Sequence, residues 1–419
     1  MVLVLVLTIS HHDSGGFSGN PCVGETSSSS SSSSSSADLP PRVTLNGVAG
    51  GGLRMPRVGL GTCCRPDERG PAMTRAVAEW IRLGGELVDT AELYRNHADI
   101  GAALTRCFPG MKRDGVWITS KVDLRRVDPD AGATAIAAAV RASTERAIRE
   151  LGLTHVDLML LHQSECGDGK RRRRGNNGVF FLRRRRRQEQ GNHGDGDGDE
   201  KKYECVVEAW RELLRLQVSG HARAVGVSNF GVRHLEALVR AGLPLPAVNQ
   251  IEFHPYISAE QRRTFEWCNR RGVAVTAYGN LGGSKRSGEL PQAALEVAAE
   301  VGATPQQTML AWVMRQPRAW AAAGDLAGDL AGDGGDDRGG DREVEAGSAA
   351  GGSWQGNVSI IPGTNNPEHQ AANLRVPSVA ASLTQMHLKR IDRLGKPENV
   401  GTRPDGWRSW KNIQHEASA

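Results

Sequence analysis

The sequence has no CxxC motif and no long apolar run, and each absence argues against a class of protein. Its seven cysteines form no CxxC pair and no Cys/His cluster at zinc spacing, so we expect no metal site. An odd, scattered set of cysteines in an enzyme-sized chain favours free thiols in a reducing compartment. No stretch approaches the roughly 20 apolar residues of a membrane span, so we expect no membrane partner. The cytoplasm is therefore the expected compartment.

The hydrophobic share of 39% is low for a globular enzyme, but the shortage is local. Three segments lack any core-forming pattern: residues 1–41, about 164–203 and about 319–357. Without them about 300 residues remain, which suits a single (β/α)8 barrel with extra loops. We therefore predict one barrel domain over 42–400, interrupted by two disordered insertions and followed by a tail at 401–419.

The leader and the first insertion each allow a second interpretation. The opening MVLVLVLTIS resembles a short signal sequence but has no basic n-region, so a disordered Ser-rich leader is favoured over secretion or organelle targeting. The first insertion has two arginine runs around VFFL, followed by a Gly-Asp repeat. We interpret it as a solvated loop. Binding to RNA or nuclear import is the alternative, because arginine runs also serve such roles.

The rest of the chain alternates between short apolar runs and helical patterns. VTLNGVAGGGLRMP predicts an N-terminal β-hairpin. Eight strands follow, at 58–62, 86–90, 116–121, 156–162, 222–228, 245–253, 273–278 and 358–363. The predicted helices are 72–83, 97–107, 130–151, 205–220, 230–242, 259–272, 304–316 and 366–375. This order favours a closed parallel barrel over a doubly wound sheet. No GxGxxG follows the first strand, so a Rossmann dinucleotide site is not supported.

Polar residues follow successive strands at intervals that suit a βα repeat. Asp89 and Tyr94 lie in VDTAELY, Lys121 ends WITSK, and His162 ends VDLMLLH. In a (β/α)8 barrel such residues meet at the carboxyl ends of the strands. A lysine ammonium lowers the pKa of a nearby phenol, and a buried carboxylate keeps the lysine charged. A neutral imidazole can orient a carbonyl oxygen. The set can therefore protonate a carbonyl that receives a hydride.

The chain resembles the aldo-keto reductases. The matching stretches are MPRVGLGT, VDTAELYRN, ITSKV, DLMLLH, GVSNF, VNQIEFHPY, AYGNLG and IIPGTNNPEHQAANL. The resemblance covers roughly 42–163, 204–318 and 358–394. It implies a (β/α)8 barrel that binds NADPH in an extended pose across its mouth. It also implies a catalytic tetrad of Asp89, Tyr94, Lys121 and His162.

The same resemblance assigns the remaining site residues. Ser228, Asn229 and Gln250 would hold the nicotinamide carboxamide, and Tyr278 would stack on the ring. Gln250 as a buried hydrogen-bonding side chain and Tyr278 as core packing are the structural alternatives. The whole cofactor set is Thr62, Ser228, Asn229, Gln250, Tyr278, Gly279, Leu281, Thr364, Asn365, His369 and Asn373, and the substrate pocket includes Cys63, Leu93 and Gln163.

The chain departs from the family pattern beside the substrate and the cofactor phosphates. Cys63 stands where many relatives have tryptophan, and Gln163-Ser164 replaces Trp-Pro, which predicts a wider, more polar pocket that binds flat aromatic aldehydes poorly. Gly279 replaces the serine that relatives place near the pyrophosphate, a group that backbone amides can also bind.

A further departure concerns the ribose 2′-phosphate of NADPH. Relatives usually have Lys-Ser after Ile-Pro and an arginine further on, where this chain has Gly363, Thr364 and His369. A charge-assisted contact contributes roughly 1.5–3 kcal/mol, so selectivity for NADPH should fall. NADPH remains the expected cofactor, with NADH or dual use as the alternative.

We therefore expect an NAD(P)H-dependent aldehyde or ketone reductase that acts on a small carbonyl substrate as a monomer or weak dimer. The alternative from another functional class is a non-catalytic subunit with the same barrel fold. Such a subunit would bind a nucleotide and regulate, or assemble with, another protein. An RNA-associated protein that uses the arginine runs is a third interpretation, and it predicts salt-sensitive binding.

Overall fold

The computed structural model describes residues 22, 42–46, 52–63, 69–167, 196–282, 290–319 and 357–395, with backbone alone at 196–202, 317–319 and 395. Apart from Cys22, the predicted leader lies outside the described residues. So do residues 168–195 of the first insertion, nearly all of the second insertion, and the tail. The predictions of disorder for these segments stay predictions.

A short hairpin precedes the barrel, as predicted. Strand β1 (Arg42–Thr44) pairs antiparallel with β2 (Arg54–Pro56). Val43 and Met55 are buried in the same cluster as Leu158, a residue of the barrel interior. The hairpin is therefore anchored by apolar contact with the inside of the barrel.

Eight parallel strands form the barrel, which confirms the predicted fold class. They are β3 (Gly59–Gly61), β4 (Leu87–Asp89), β5 (Trp117–Val122), β6 (Val156–Leu161), β7 (Ala222–Ser228), β8 (Val248–Glu252), β9 (Ala274–Tyr278) and β10 (Val358–Ile360). The order along the sheet follows the sequence, and a parallel bridge from Val58 to Ile360 joins the first and last strands. Nearly every strand residue is buried, because helices cover the outside and side chains fill the inside.

The helices pack around these strands. They are α1 (Pro71–Arg82), α2 (His97–Ala102, continued by a π-turn to Cys107), α3 (Gly132–Leu151), α4 (Gly196–Val218), α5 (Val232–Arg240), α6 (Ala259–Arg270), α7 (Gln292–Val301), α8 (Pro305–Ala319), α9 (Pro367–Leu374), α10 (Val376–Ser382) and α11 (Gln385–Asp392). The large core between strands and helices includes the buried Trp80, Trp210 and Trp312. Within the described residues, no helix is long and apolar enough to cross a membrane.

Three helices were not predicted, and α4 begins well before its predicted start. The sequence pattern did not reveal α7, α10 or α11, which are at most ten residues long and therefore carry little periodic signal. Helix α11 is defined instead by a capping box at Thr384 and His387. Helix α4 begins at Gly196, inside the predicted insertion. Acidic residues in that part of the sequence suit a helix N-terminus, although Gly-Asp repeats usually indicate disorder.

The expectation of free cysteines is wrong for most of them. Disulfides join Cys22 to Cys107 and Cys166 to Cys205, and Cys63 is also disulfide-bonded. Among the described cysteines only Cys268 is free, and it is buried. The two disulfides close loops of 85 and 39 positions, so local spacing carried no sign of them.

Candidate active site

Three of the predicted catalytic side chains meet at one lysine. The Lys121 ammonium donates to Asp89 Oδ1 at 2.5 Å, to the Thr90 carbonyl at 2.9 Å and to the Tyr94 hydroxyl at 3.2 Å. Lys121 and Asp89 are almost completely buried, and they lie near the carboxyl ends of the adjacent strands β5 and β4. The acid, amine and phenol expected from the sequence are therefore in contact.

Burial opposes the charges of this pair, and their mutual contacts offset part of that effect. It lowers the pKa of Lys121 and raises the pKa of Asp89, while each group's attraction to the other acts in the opposite sense. Three acceptors around the ammonium satisfy all three of its N–H donors. A buried ion pair with its hydrogen bonds satisfied in this way can stay charged.

His162 lies directly after β6, beside the phenol. Its ring meets the Tyr94 ring edge-on, with 5.7 Å between the ring centres. Burial lowers the pKa of His162 well below its usual value, and the charges of Lys121 and Arg125 lower it further. The imidazole is therefore neutral at neutral pH. Its Nδ1 atom is buried with no hydrogen-bond partner among the described residues.

The loop that carries Tyr94 is fixed by residues that sequence reasoning missed. Asn96 is completely buried, accepts from Thr90 Oγ1 at 2.7 Å and donates to the Thr62 carbonyl at 3.1 Å. Arg95, between Tyr94 and Asn96, has a left-handed backbone conformation with φ of 57°. The amide of Asn96 thus connects the Tyr94 loop to the ends of β3 and β4. A polar residue two positions after the phenol was the only sequence signal.

The residues predicted to hold the nicotinamide lie beside the tetrad. Ser228 Oγ donates to the Gln250 carbonyl at 3.0 Å, and Asn229 Nδ2 donates to the His162 carbonyl at 2.9 Å. The Tyr278 hydroxyl donates to Asn229 Oδ1 at 2.7 Å. Burial raises the pKa of Tyr278 well above its usual value. The Ser228 hydroxyl, the Asn229 amide and the Tyr278 hydroxyl therefore belong to one hydrogen-bonded cluster next to His162.

The predicted phosphate residues follow β9 and β10. Gly279 has a left-handed backbone, with φ of 64°, and Leu281 beside it is half-buried. Thr364 Oγ1 accepts from the Asn366 amide at 3.1 Å. Asn366 in turn accepts from the His369 amide at 3.2 Å, capping α9. The polar groups at this end are thus mostly neutral, with Gly363, Asn365, Glu368 and Asn373 completing the segment.

The three predicted substrate residues are spread around the tetrad. Cys63 follows the buried Thr62, whose hydroxyl donates to the Asp89 carbonyl at 2.9 Å, and both Cys63 and Leu93 are half-buried. Gln163 is buried, and its Oε1 accepts from the Leu124 amide at 3.0 Å. The loop after β6 is therefore joined to the loop after β5.

Neighbouring residues strengthen this connection between the two loops. The Gly167 amide donates to the Leu124 carbonyl at 3.0 Å, and the Cys166–Cys205 disulfide ties the same loop to α4. A methyl group on Gly167 would overlap the backbone of Arg125. No group of three or more His, Cys, Asp or Glu residues is arranged to hold a metal in the described part of the chain.

Reductases are among the known proteins that this chain resembles in sequence. The chain is 31% identical over 269 residues to Aldo-keto reductase family 4 member C11 of Arabidopsis thaliana, covering 62% of this chain and 74% of that protein. It is 28% identical over 390 residues to the NAD(P)H-dependent D-xylose reductase I,II of Candida tropicalis, covering 89% and 97%.

A solved structure shares the fold. The aldose reductase of Giardia lamblia aligns with a TM-score of 0.57 and 24% identity over 81% of this chain and 92% of that one. The sequence profile of the Aldo/keto reductase family matches residues 65–396. Family membership and these reductase relatives support carbonyl reduction with a nicotinamide cofactor. The chain therefore belongs to the aldo/keto reductase family.

Proposed function

We propose that the protein reduces an aldehyde or ketone to an alcohol, with Tyr94 as the proton donor. The observation that carries this proposal is the position of the Lys121 ammonium, within hydrogen-bonding distance of both Asp89 Oδ1 and the Tyr94 hydroxyl. An ammonium so placed favours the phenolate and makes the phenol a better acid. Family membership supports the reaction class.

In this mechanism the protein places a proton at the carbonyl oxygen. The reduced nicotinamide, when bound, supplies the hydride to the carbonyl carbon. Tyr94 gives its proton to the oxygen, and Lys121 stabilises the phenolate that remains. Asp89 keeps Lys121 charged and fixed. The neutral His162 orients the carbonyl oxygen, because an imidazole N–H donates a hydrogen bond without adding a charge.

We propose NADPH as the cofactor, with weak discrimination against NADH. Ser228, Asn229 and Gln250 would hold the carboxamide, and Tyr278 would pack on the ring. The ribose 2′-phosphate would meet the neutral Thr364, Asn365 and Asn373 together with His369, an exposed residue. No lysine or arginine stands between Gly363 and Asn373, so the phosphate would gain little charge-assisted binding.

We further propose that the substrates are small polar aldehydes rather than flat aromatic ones. Cys63 and Gln163 stand where many relatives have tryptophan side chains that line the substrate pocket. The relative from Candida tropicalis is named as a reductase of the sugar D-xylose. Comparable kcat/KM values for benzaldehyde-type and short polyol-type aldehydes would count against this choice.

The test is a spectrophotometric panel of carbonyl substrates with both cofactors, run on the wild type and on Tyr94→Phe. We expect the wild type to oxidise NADPH with D-xylose or glyceraldehyde. In Tyr94→Phe, kcat should fall about 10²–10⁴-fold, which is the usual contribution of a general acid. Cofactor binding, followed by quenching of tryptophan fluorescence, should persist in the variant. Cofactor binding without turnover in the wild type would instead favour the non-catalytic nucleotide-binding subunit.

A further inference from the structure

A hydrogen bond crosses the barrel from Gln250 to the catalytic carboxylate. Gln250 Nε2 donates to Asp89 Oδ2 at 2.7 Å, and the two residues are 161 positions apart in the sequence. Gln250 lies in β8, and Asp89 ends β4, four strands away along the sheet. Both side chains are at most 3% exposed. The family resemblance places Gln250 on the cofactor and says nothing of this contact.

The bond completes the coordination of Asp89. Its Oδ1 accepts from Lys121 at 2.5 Å, and its Oδ2 accepts from Gln250. With each oxygen bonded to a different side chain, the carboxylate is held in one orientation. Donors to a carboxylate also favour its charged form. A carboxylate with this second donor is a weaker base than one without it, so the proton that Asp89 and Lys121 share stays on Lys121. The ammonium thereby keeps its charge, while another of its N–H groups donates to the Tyr94 hydroxyl.

We propose that Gln250 is a positioning residue for the proton donor: by holding Asp89 from across the barrel, it keeps the Lys121 ammonium charged and directed at Tyr94. This inference rests on the proposed function for its catalytic meaning. Gln250 acts through Asp89 and Lys121, so the phenol should become a weaker acid when Gln250 is lost.

The same amide can still contact a cofactor. A glutamine amide has two N–H donors and a carbonyl oxygen, and only one N–H is used on Asp89. The Ser228 hydroxyl fixes the Gln250 backbone by donating to its carbonyl at 3.0 Å. Gln250 would therefore join the carboxamide position to the ion pair through one rigid side chain.

The effect on Tyr94 depends on the charged and titratable groups around it. The Lys121 ammonium donates to both the Tyr94 hydroxyl and Asp89. The His162 ring contacts the Tyr94 ring edge-on. Tyr278, from β9, and Tyr94 influence one another electrostatically. Further groups act on these neighbours, namely Arg125 on His162 and Glu252 on Tyr278. Apart from Asp89, none of these groups bonds to the Gln250 side chain among the described contacts, so replacing Gln250 changes the network through Asp89.

The experiment is an alkaline titration of phenolate absorbance in the protein without cofactor or substrate. The chain has only four tyrosines. Burial raises the pKa of Tyr256 to about 12, and that of Tyr278 is raised well above its usual value, so subtracting the Tyr94→Phe titration isolates Tyr94. We expect Gln250→Met to raise the midpoint of Tyr94 by about one pH unit, the order of one lost hydrogen bond to a charged group.

Steady-state kinetics of the same variants give a second readout. With Gln250→Met, kcat should fall about tenfold while KM for the carbonyl substrate changes by less than about twofold. In an Asp89→Asn background, Gln250→Met should not move the Tyr94 midpoint further, because its target is gone. The matched control is Gln316→Met, which removes a buried glutamine of α8 that donates to the Trp312 carbonyl at 3.3 Å. It should leave the Tyr94 midpoint unchanged.

An unchanged Tyr94 midpoint in Gln250→Met, with weaker cofactor binding alone, would overturn the inference and leave Gln250 as a cofactor residue. If Gln250→Met does not fold by circular dichroism, Gln250→Asn, too short to reach Asp89, carries the same expectation. The titration needs no turnover. A shifted midpoint in a protein without reductase activity would therefore support this inference and refute the proposed function, and activity with no shift would do the reverse.

Discussion

The two sides of the barrel mouth differ in how firmly they hold their polar groups. On the proton-donor side, Asp89, Lys121 and Tyr94 are buried and joined by hydrogen bonds of 2.5 and 3.2 Å. On the phosphate side, the segment after β10 that is proposed to meet the 2′-phosphate, His369 and Gly363 are exposed. The Asn366 side chain there caps α9 by accepting from two backbone N–H groups. The groups proposed for proton transfer are thus buried and hold one another in place, whereas Gly363 and His369 in the proposed phosphate region are exposed.

Burial explains the difference. An ion pair inside the barrel needs each partner, because losing one leaves an uncompensated charge that destabilises the fold. Exposed residues at the start of a helix carry no such penalty, so their replacement changes binding without harming the fold. The comparison can be tested from either side.

The largest expected effect is on the proton-donor side. Lys121→Met should lower kcat by about 10²–10⁴, because the phenol loses the cation that favours its ionisation. The same substitution leaves Asp89 as an uncompensated buried charge, so the variant is first checked by circular dichroism. Lys389→Met, at an exposed lysine of α11, is the matched control and should keep full activity. Steady-state oxidation of NADPH measures both, and equal rates would remove Lys121 from the mechanism.

The next effect concerns the loop after His162. Replacing both cysteines of the Cys166–Cys205 disulfide, as in Cys166→Ser with Cys205→Ser, should lower the free energy of unfolding by about 2–4 kcal/mol, because a loop of 39 positions is no longer closed in the unfolded chain. Denaturant unfolding of the oxidised wild type and the double variant gives the difference. Equal stabilities would mean that the disulfide does not form in solution.

A smaller effect is expected on the phosphate side. His369→Arg should raise the preference for NADPH over NADH by about 10–100-fold, since one charge-assisted phosphate contact contributes roughly 1.5–3 kcal/mol. Gln385→Arg adds the same charge at an exposed position on α11 and should change nothing. The ratio of kcat/KM for the two cofactors is the readout. If His369→Arg leaves that ratio unaltered, α9 does not meet the phosphate.

The smallest effect is the pH dependence of stability. The pKa of His162 is well below its usual value in the folded protein, mainly because of burial. Below about pH 6.5 the unfolded chain binds a proton that the folded chain does not. Stability should therefore be complete above that pH and fall as the pH drops, by up to about 1.4 kcal/mol per pH unit from this group.

His162→Asn should flatten the dependence between pH 6.5 and 5, measured as the Tm of each protein across that range. Burial also lowers the pKa of His97, which retains its share of the slope in both proteins. An identical slope in the variant would show that His162 is protonated in the folded state.

The sequence predicted the barrel and the meeting of the tetrad because both follow from topology. In a parallel barrel every strand end faces the same opening, so Asp89, Lys121 and His162 had to converge once eight alternations were recognised. The hairpin was readable from its turn, since β1 and β2 are joined by a glycine-rich segment.

Contacts across the fold were not predictable from one sequence. The bond from Gln250 to Asp89 depends on where two side chains point inside the barrel, and the fixing of the Tyr94 loop by Asn96 depends on a left-handed residue. The Cys166–Cys205 disulfide brackets a segment of low complexity that hid its long-range pairing. Each of these rests on three-dimensional proximity, which no periodicity records.

Single-turnover oxidation of NADPH and of NADH by a short polyol aldehyde, in the wild type and in Tyr94→Phe, tests both the proton donor and the choice of cofactor. The account predicts that the wild type uses both cofactors with rates within about tenfold, because no lysine or arginine between Gly363 and Asn373 gives NADPH a charge-assisted phosphate contact. It also predicts that Tyr94→Phe loses both reactions equally. Full turnover by Tyr94→Phe with either cofactor would contradict the assignment of Tyr94 as the proton donor.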